Sequence, residues 1–273
     1  MHIKFASLNS GSNGNSYFVG TDDHKVLIDA GISAKEIGAR LTRLNLDPNS
    51  IEAIFISHEH SDHIKGLEVF VKKYKTKVFI SEPTYFNSRL NIDKGLLYFI
   101  QDGEEINIGN LKIDCFRKIH DAIDPFSFTV SSFDLKIGVF TDLGSVCTNL
   151  IKHFSSCNAA FLEANYDVEL LKNSNYPYYL KSRISDGKGH LSNLLALELF
   201  NNHKNEQLSH LILSHLSENN NCPDLVGSLF EQFSGHTLIN VASRFKESEL
   251  FSINSELSLS HKTKNRHIQT SLF

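Results

Sequence analysis

The sequence has little of what marks secreted, membrane-spanning or disulfide-stabilised proteins. Four cysteines are too few for a disulfide framework, and their spacing matches no metal-finger pattern; they are Cys115, Cys147, Cys157 and Cys222. We expect all four to be reduced and packed as small buried hydrophobes. No stretch approaches the roughly 18 consecutive apolar residues of a membrane span, and the N-terminus lacks the basic start and apolar run of a secretory signal. These absences predict a cytoplasmic protein without a membrane partner.

Charge and composition exclude little more. The formal charge of −4 is mild, and the 41% hydrophobic and 21% charged content is ordinary for a globular chain. With 273 residues, the chain can bury one sizeable core or two small ones. It contains no Pro/Gly-rich linker and no repeat of fixed period. We therefore predict one domain over residues 1–254, followed by a polar C-terminal tail over residues 255–273.

Short apolar strands alternate with helices in both halves of the chain. Strands are predicted at Ile3–Leu8, Ser16–Val19, Lys25–Asp29, Glu52–Ser57, Val78–Ile80, Glu105–Ile108, Leu111–Ile119, Phe126–Ser131, Leu135–Thr141, Ala159–Leu162 and Ser209–Ser214. Helices are predicted after Ser33, from near His63, at Leu191–Asn201 and at Pro223–Phe233, with Glu36 completing a capping box on Ser33. This order predicts an α/β (α+β) fold: a four-layer αββα sandwich with helices outside two sheets.

The segment His58-Glu59-His60-Ser61-Asp62-His63 concentrates side chains that bind metals. His58 and His60 lie two positions apart after the apolar strand, so both imidazoles can point at one ion. Asp62 and His63, on the turn into the next helix, can face a second ion. Imidazole and carboxylate ligands suit Zn²⁺, Mn²⁺ or Fe²⁺ and leave positions open for water. The alternative is a solvated turn that happens to be rich in histidine.

Three further candidate ligands follow apolar strands. His120 comes after Phe116–Ile119, Asp142 after Ile137–Thr141 and His215 after Leu211–Ser214. A rigid sheet edge can fix such side chains within the tolerance that a metal demands. Each residue alone is compatible with a surface histidine or a turn aspartate, but together they favour a metal centre.

These residues, with the run Leu27-Ile28-Asp29-Ala30-Gly31, resemble the five ordered motifs of the metallo-β-lactamase superfamily, over about residues 5–245. The resemblance implies the metallo-β-lactamase form of the αββα sandwich and two divalent ions. The first ion would be held by His58, His60 and His120, the second by Asp62, His63 and His215, and Asp142 would bridge them. It also implies that Asp29 orients a ligand without binding metal. Glu59 departs from the threonine of many relatives, at a position that binds no metal.

Further motifs narrow the resemblance to the WalJ/YycJ subfamily of bacteria. They are Ser10-Gly11-Ser12-Asn13-Gly14-Asn15-Ser16, His120-Asp121-Ala122, Phe140-Thr141-Asp142-Leu143-Gly144, Leu162-Glu163-Ala164-Asn165 and Gly189-His190-Leu191-Ser192-Asn193. That subfamily implies a cytoplasmic nuclease that degrades DNA in the 5′-to-3′ direction. The fold alone would not imply it, because the same site architecture serves lactams, thioesters and phosphodiesters.

A nuclease needs an activated water and an acid for the leaving oxygen. Two metals generate a bridging hydroxide, which Asp62 can orient. His190 is the candidate acid and Glu163 its orienting partner, by similarity to a Glu–His pair in the tRNase Z enzymes. The alternative is structural: His190 directly precedes a predicted helix, and Glu163 ends a predicted strand.

Two segments are candidates for gripping substrate. The loop with Ser12, Asn13 and Asn15 offers many backbone N–H groups that can cup a phosphate, although such runs also form plain turns. Farther on, Tyr178, Tyr179 and Arg183 interleave aromatic rings with a cation, as expected for bases stacking beside phosphates. The alternative for the tyrosines is packing of a long loop onto the body of the protein.

The sequence therefore predicts a di-metal phosphodiesterase or nuclease, with DNA favoured over RNA and the oligomeric state left open. The first alternative is a hydrolase of a small cyclic phosphodiester, lactone or thioester, because the chain lacks room for the nucleic-acid-gripping insertion of the β-CASP nucleases. The second is a non-catalytic protein of the same fold. All seven ligand positions are filled, which argues against it.

Overall fold

The chain folds into two seven-stranded sheets over residues 2–255, the part described by the structure, a computed structural model. The strands are β1 (His2–Asn9), β2 (Ser16–Gly20), β3 (Lys25–Ile28), β4 (Ala53–Phe55), β5 (Lys77–Ser81), β6 (Leu97–Ile100), β7 (Glu105–Ile108), β8 (Leu111–Arg117), β9 (Phe126–Ser132), β10 (Leu135–Phe140), β11 (Ala159–Glu163), β12 (His210–Ser214), β13 (Leu238–Val241) and β14 (Phe251–Asn254). The helices are α1 (Ala34–Arg43), α2 (Ser61–Ile64), α3 (Leu67–Tyr74), α4 (Glu82–Ser88), α5 (Thr148–Phe154), α6 (Val168–Asn173), α7 (Tyr178–Ser185), α8 (Asn193–His203) and α9 (Pro223–Glu231), with a short 3₁₀ turn at Pro48–Ser50.

The two sheets share one plan. Their strand orders are β14-β1-β2-β3-β4-β5-β6 and β13-β12-β11-β10-β9-β8-β7. In each sheet an antiparallel part leads into a parallel part, which begins at the β3–β4 pair in the first sheet and the β10–β11 pair in the second. Parallel strands point their carboxyl ends to the same edge, so residues that follow several strands are brought together there.

Three apolar layers hold the sandwich together. The inner faces of the two sheets pack on each other, as in the contact between Phe55 and Phe128, whose ring centroids lie 5.7 Å apart. Outside the first sheet lie α1 and α3, and outside the second lie α5, α8 and α9. The strands are therefore covered on both faces, which is why several read as continuous apolar runs. The predicted αββα sandwich is confirmed.

Two helix starts differ from the prediction. Ser33 caps α1, and its Oγ accepts from the backbone N–H of Glu36 at 3.2 Å, but the Glu36 carboxylate accepts from Arg40 Nε instead of completing a capping box. The helix predicted from near His63 is two helices that are separated at Gly66. A Cβ on Gly66 would lie 2.0 Å from the Ile32 carbonyl oxygen, so only glycine fits where this turn meets the preceding loop.

Several short elements escaped prediction. The edge strand β14 pairs with β1 and alternates buried and exposed residues over four positions, too few to stand out in a sequence. The segment around Tyr178, interpreted as a loop, contains the helix α7. Except for Ser255, the predicted polar tail over residues 255–273 lies outside the described residues.

The cysteine prediction is partly wrong. Cys115 and Cys157 are buried, Cys147 is half-buried and Cys222 is exposed at the start of α9. Among the described residues, no helix is both long enough and apolar enough to cross a membrane.

Candidate metal centre and active site

Strand ends from both sheets meet at one edge of the sandwich and carry the candidate ligands. Two candidate ligands, Asp142 and His215, and the adjoining Asp29 have positive φ angles of 55°, 56° and 62°. A left-handed backbone at a non-glycine residue costs about 1–3 kcal/mol, and it persists only where the surroundings fix it. Here it occurs just after β3, β10 and β12 end, where the three side chains contact the other residues of the centre.

The first group of candidate ligands consists of His58, His60 and His120. Nε2 of His58 lies 3.0 Å from Nδ1 of His60, and ligand atoms of the three rings lie within 4.8 Å of one another. Two imidazole nitrogens bound tetrahedrally to one Zn²⁺, at about 2.0–2.1 Å each, are separated by about 3.3 Å. The trio therefore has nearly the spacing of ligands around a single ion.

His120 is prepared as a neutral ligand. Its Nδ1 lies 2.9 Å from the Gly189 carbonyl oxygen, to which only an N–H can donate, so Nε2 carries the lone pair. Burial lowers the pKa of His120 to about 3, although Asp142 opposes the shift. Nε2 is buried and has no hydrogen-bond partner among the described residues. A buried acceptor without a partner is costly, and a cation placed between the three rings would satisfy it.

The second group lies around Asp142. Its Oδ2 is 3.1 Å from His63 Nε2, and its Oδ1 is 3.1 Å from His215 Nδ1. Oδ2 of Asp62 lies 3.6 Å from His63 Nε2 and 3.8 Å from His215 Nε2. Because Asp142 Oδ1 is also 3.8 Å from His120 Nε2, this carboxylate stands between the two groups.

Without a bound cation, the negative charge of Asp142 is balanced by protons on His63 and His215. Burial favours the neutral form of His215, but Asp142 and Glu163 outweigh it and raise the pKa of His215 to about 10. The pKa of His63 is likewise well above its usual value, because Asp142, Asp29 and Asp62 outweigh burial. Burial would raise the pKa of Asp142, yet His215 and His63 hold it well below its usual range. Two metal ions can replace these protons, so the His and Asp groups fit a dimetal site.

Asp29 orients His63. Its Oδ2 accepts from His63 Nδ1 at 2.7 Å and from Ser57 Oγ at 2.8 Å, and its Oδ1 accepts from the Ser57 backbone N–H at 2.8 Å. Both the Asp29 and His63 side chains are fully buried. With Nδ1 engaged in this way, Nε2 of His63 faces Asp62 and Asp142, which is the geometry implied for a carboxylate that orients a ligand.

The loop before β2 holds Asp62 through hydrogen bonds from Asn15. The backbone N–H of Asn15 donates to the Asp62 carbonyl oxygen at 2.7 Å, and its buried Nδ2 lies 3.2 Å from Asp62 Oδ2. Gly31 closes this contact, since a Cβ there would lie 1.6 Å from the Asp62 carbonyl oxygen. Asn15 is fully buried and therefore cannot make the substrate contact predicted for it; its side chain contacts Asp62 instead.

The other two residues predicted to bind substrate from this loop lie closer to the surface. Ser12 lines the cavity over the two groups of candidate ligands, and Asn13 Nδ2 donates to the Arg244 carbonyl oxygen at 2.7 Å.

Glu163, at the end of β11, joins His190 to the same centre. Its Oε1 lies 2.8 Å from His190 Nδ1 and 3.2 Å from His215 Nδ1, and its Oε2 accepts from the backbone N–H groups of Leu143 and Leu191. Burial would raise the pKa of Glu163, but His190 and His215 lower it, so the carboxylate stays ionised. His190 precedes α8 by two residues, and its side chain is 23% exposed, within reach of a substrate.

Two cavities open above these groups. One of about 290 Å³ is lined by His60, Ser61, Asp62, His120, Asp142, His190 and His215 together with Ser12, Asp121 and Arg183. A second, of about 180 Å³, shares Ser12, Asp121, Arg183 and His190 and extends under α7. Arg183 therefore stands at the mouth, where its Nε donates to Asp121 Oδ2 at 2.6 Å. Tyr178 and Tyr179 are 85% and 73% exposed and lie outside both linings, so the predicted alternative of tyrosines packing onto the body is wrong for these two.

Two supporting residues were missed in the sequence. Lys118 is buried beside the centre, and its Nζ donates to the Thr141 carbonyl oxygen at 2.7 Å, which fixes the backbone just before Asp142. Asn165 does the same for the other strand end, because its Nδ2 donates to the His215 carbonyl oxygen at 2.7 Å. A lysine continuing an apolar strand was a signal for Lys118, and Asn165 belongs to the motif Leu162-Glu163-Ala164-Asn165, although no role was predicted for it.

Comparison with known proteins identifies the family of this chain. Residues 10–150 match the model of the metallo-beta-lactamase superfamily. Exodeoxyribonuclease YycJ of Bacillus anthracis is 34% identical over 228 residues, covering 82% of this chain and 86% of the relative. Exodeoxyribonuclease WalJ of Streptococcus pneumoniae is also 34% identical over 228 residues, covering 82% of this chain and 85% of the relative. The solved structure of YhfI from Bacillus subtilis, a metallo-β-lactamase fold protein, superposes with a TM-score of 0.70 at 14% identity, over 92% of this chain and 99% of that one.

The matched model, the long relatives and the shared fold define the class: the chain belongs to the metallo-β-lactamase superfamily, within its WalJ/YycJ-like subfamily. It is a metal-dependent hydrolase.

Proposed function

We propose that this hydrolase is a two-metal exonuclease that degrades DNA from the 5′ end. The observation that carries the proposal is the Glu163–His190 pair at 2.8 Å on the wall of the cavity that also exposes both ligand groups. This arrangement supports a role for His190 as the proton donor beside two ions that would hold a phosphodiester. The names of the relatives, exodeoxyribonucleases at 34% identity, support DNA as the substrate.

We assign one ion to His58, His60 and His120 and the other to Asp62, His63 and His215, with Asp142 shared. Two buried ring nitrogens without hydrogen-bond partners among the described residues support this choice; they are His120 Nε2 and His215 Nε2. An alternative group of Asp142, Glu163, His190 and His215 also lies within ligand distance. We prefer the first assignment, because both Glu163 oxygens already accept hydrogen bonds. The mixed imidazole and carboxylate set suits Zn²⁺ or Mn²⁺.

When bound, two divalent ions supply charge stabilisation to the phosphoryl oxygens and a lowered pKa for water. The chain itself does the rest. Asp62 lies at the rim of the second ligand group, 20% exposed, where its carboxylate can orient the attacking water. His190 keeps its Nδ1 proton in the hydrogen bond to Glu163. It delivers a second proton, carried on Nε2, to the leaving oxygen. Glu163 can keep the ring in place, because its Oε2 accepts from two backbone N–H groups that fix the carboxylate.

Arg183 and Ser12 line both cavities and are our candidates for holding phosphate near the centre. Tyr178 and Tyr179, on the outer side of α7, would stack on bases that leave the mouth. Asn13 is a weaker candidate for binding substrate, because its side-chain amide already donates a hydrogen bond to the Arg244 carbonyl oxygen. The alternative of a small cyclic phosphodiester, lactone or thioester draws support from the small volume of the cavity, about 290 Å³. We retain the cytoplasmic location as a prediction.

One assay separates these functions. Protein loaded with Mn²⁺ or Zn²⁺ is given single- and double-stranded DNA and RNA labelled at the 5′ or the 3′ end, beside bis-p-nitrophenyl phosphate and nitrocefin. We expect 5′-labelled DNA to release its label as the first product, while 3′-labelled DNA shortens progressively. Asp142→Ala should abolish this, and Asp134→Ala, in the exposed β9–β10 turn, should not. Hydrolysis of the small esters with no attack on DNA would favour the small-molecule alternative.

A further inference from the structure

A third cavity adjoins the two above the metal centre. It has a volume of about 350 Å³ and lies beneath the loop after β13, with walls that include Leu216, Val241 and Ala242. Ser217 lines both this cavity and the one under α7. Because Ser12 lines both the α7 cavity and the metal cavity, the three form a continuous series along the surface.

Phe245, on the rim of the third cavity, is an exposed aromatic ring on a fixed loop. Its side chain is 73% exposed, yet its backbone carbonyl accepts from Arg40 Nη2 at 3.0 Å. Arg40 is itself buried and also donates to the Leu8 carbonyl oxygen at 2.7 Å, so it ties this loop to β1 and α1. The Phe245 N–H donates to Ser243 Oγ at 3.1 Å. Because the backbone that carries this solvent-facing ring is fixed, less freedom is lost when a planar ligand stacks on it than on a ring in a loose loop.

Arg244 adds a donor that has no acceptor. Its side chain is only 15% exposed, and its Nη2 lies 3.2 Å from Glu218 Oε2. Nη1 is buried and has no hydrogen-bond partner among residues 2–255. A buried guanidinium N–H without a partner is unfavourable, and phosphate is one of the anionic groups that a guanidinium binds strongly. The pair with Glu218 is a weak competitor, because that carboxylate is largely exposed.

The two side chains contact each other. The guanidinium of Arg244 lies over the Phe245 ring, with its carbon 5.9 Å from the ring centroid, so a base stacked on the exposed side of the ring and a phosphate near the guanidinium can belong to one strand. We propose that Arg244 and Phe245 form a nucleotide-binding subsite for single-stranded DNA, reached from the metal centre past Ser12 and Ser217. The proposal rests on the proposed nuclease function and adds to it a binding position remote from the chemistry.

The first test is the dependence of kcat/KM on substrate length. Single-stranded DNA of two to eight nucleotides is given to the metal-loaded protein, and we expect kcat/KM to rise at the length that reaches the subsite. Phe245→Ala should remove that rise, by about 5- to 150-fold, the equivalent of losing one stacked base. Arg244→Gln should also lower it and should flatten the salt dependence of binding. Phe245→Tyr, which keeps a ring, should behave as wild type. Phe133→Ala is the matched control: this phenylalanine is exposed in the β9–β10 turn, at the opposite end of those strands from the metal centre.

A direct binding measurement separates this proposal from the nuclease function. The affinity for a fluorescein-labelled oligothymidylate is measured by anisotropy on the same variants, without reference to turnover. Weaker binding by Phe245→Ala, but not Phe133→Ala, supports the subsite even if DNA is not cleaved, and absent cleavage then counts against the nuclease proposal alone. Equal affinity and equal length dependence for Phe245→Ala and wild type overturn the subsite while leaving the nuclease intact. Loss of bis-p-nitrophenyl phosphate turnover in Phe245→Ala would also overturn it, because the residue would then support the active site itself.

Discussion

Nδ1 of His190 donates a hydrogen bond of 2.8 Å to Oε1 of Glu163, a carboxylate that is fully buried. The same oxygen receives His215 Nδ1 at 3.2 Å, so one carboxylate ties the candidate acid to a candidate ligand of the second ion. The sequence suggested the pair only by analogy with another enzyme. In the structure the connection is physical, because a rigid strand end fixes both rings around one group.

This geometry predicts a role for His190 in turnover and not in metal binding. His190→Ala should lower kcat about 10²–10⁴-fold, the usual loss for a general acid, with metal content unchanged. Glu163→Gln should lower kcat less, because the amide oxygen can still accept one hydrogen bond. Steady-state kinetics and elemental analysis of the same preparations check both. Activity of His190→Ala within a few-fold of wild type would mean that another group supplies the proton.

The two ligand groups predict two metal ions per chain. Elemental analysis of protein purified without chelator should approach two equivalents. His58→Ala should retain about one, since it damages only the first group, whereas Asp142→Ala should fall further because Asp142 serves both. His203→Ala, at the end of α8 and outside these groups, is the control. No bound metal after reconstitution with Zn²⁺ or Mn²⁺ would contradict the assignment.

Metal uptake should release protons. In the metal-free protein Asp142 raises the pKa of His215 to about 10 against the effect of burial, and it raises that of His63 well above its usual value. Both rings are therefore protonated at pH 7, and each must lose a proton before it can bind a cation. Affinity should then increase as pH rises from 6 towards 10. Calorimetry in buffers of different ionisation enthalpy measures the protons released.

The matched variant for that measurement is Asp142→Asn, which removes the charge that keeps the histidines protonated and should reduce proton release. Metal affinity that is independent of pH between 6 and 8 would show that these rings are already neutral.

The ligands themselves were predictable because the sequence encodes them locally. His58, His60 and His63 lie within six positions after one apolar strand, and each later ligand lies one to three residues after the end of another strand. Parallel strands bring such residues to a common edge, so an ordering along the chain becomes a cluster in space. The αββα architecture followed from the same pattern.

The supporting contacts were not predictable, because they join residues far apart in the chain. Asn15 appeared to belong to a surface loop, and only its contact with Asp62, 47 positions away, shows that it is buried. The helix α7 was missed for a related reason. Its cavity-facing side is set by Leu180, Arg183 and Ile184, whose partners lie elsewhere in the fold, and the exposed tyrosines hid that pattern.

Gly31 provides a test of the support beneath Asp62. A Cβ at this position would lie 1.6 Å from the Asp62 carbonyl oxygen, so Gly31→Ala must push the two segments apart. We expect Gly31→Ala to have a lower melting temperature than wild type and, on elemental analysis, to retain less of the second ion than of the first. Gly227→Ala, in α9, is the control. A Cβ on Gly227 would lie 3.6 Å from the Val241 side chain, which is ordinary van der Waals contact. Two bound metals in Gly31→Ala would show that this contact does not hold Asp62.

The last prediction separates the two sides of α7. Arg183 lines both cavities beside the metal groups, whereas Tyr178 and Tyr179 are exposed on the outside. Replacing both tyrosines with Ala should therefore raise KM on DNA and leave turnover of bis-p-nitrophenyl phosphate unchanged, because the small ester reaches only the metal cavity. Each lost stacking contact is worth about 1–3 kcal/mol, so the effect should be measurable even for one ring.

Arg183→Ala should differ in two respects. It should flatten the salt dependence of DNA binding, since a cation near phosphate is lost. It should also impair the small ester, because Arg183 stands over the centre and fixes Asp121 through the 2.6 Å hydrogen bond. Arg183→Lys keeps the charge and should restore part of the DNA affinity. If the double tyrosine variant loses both activities equally, α7 supports the active site as a whole, and grip on a polymer must come from elsewhere on the surface.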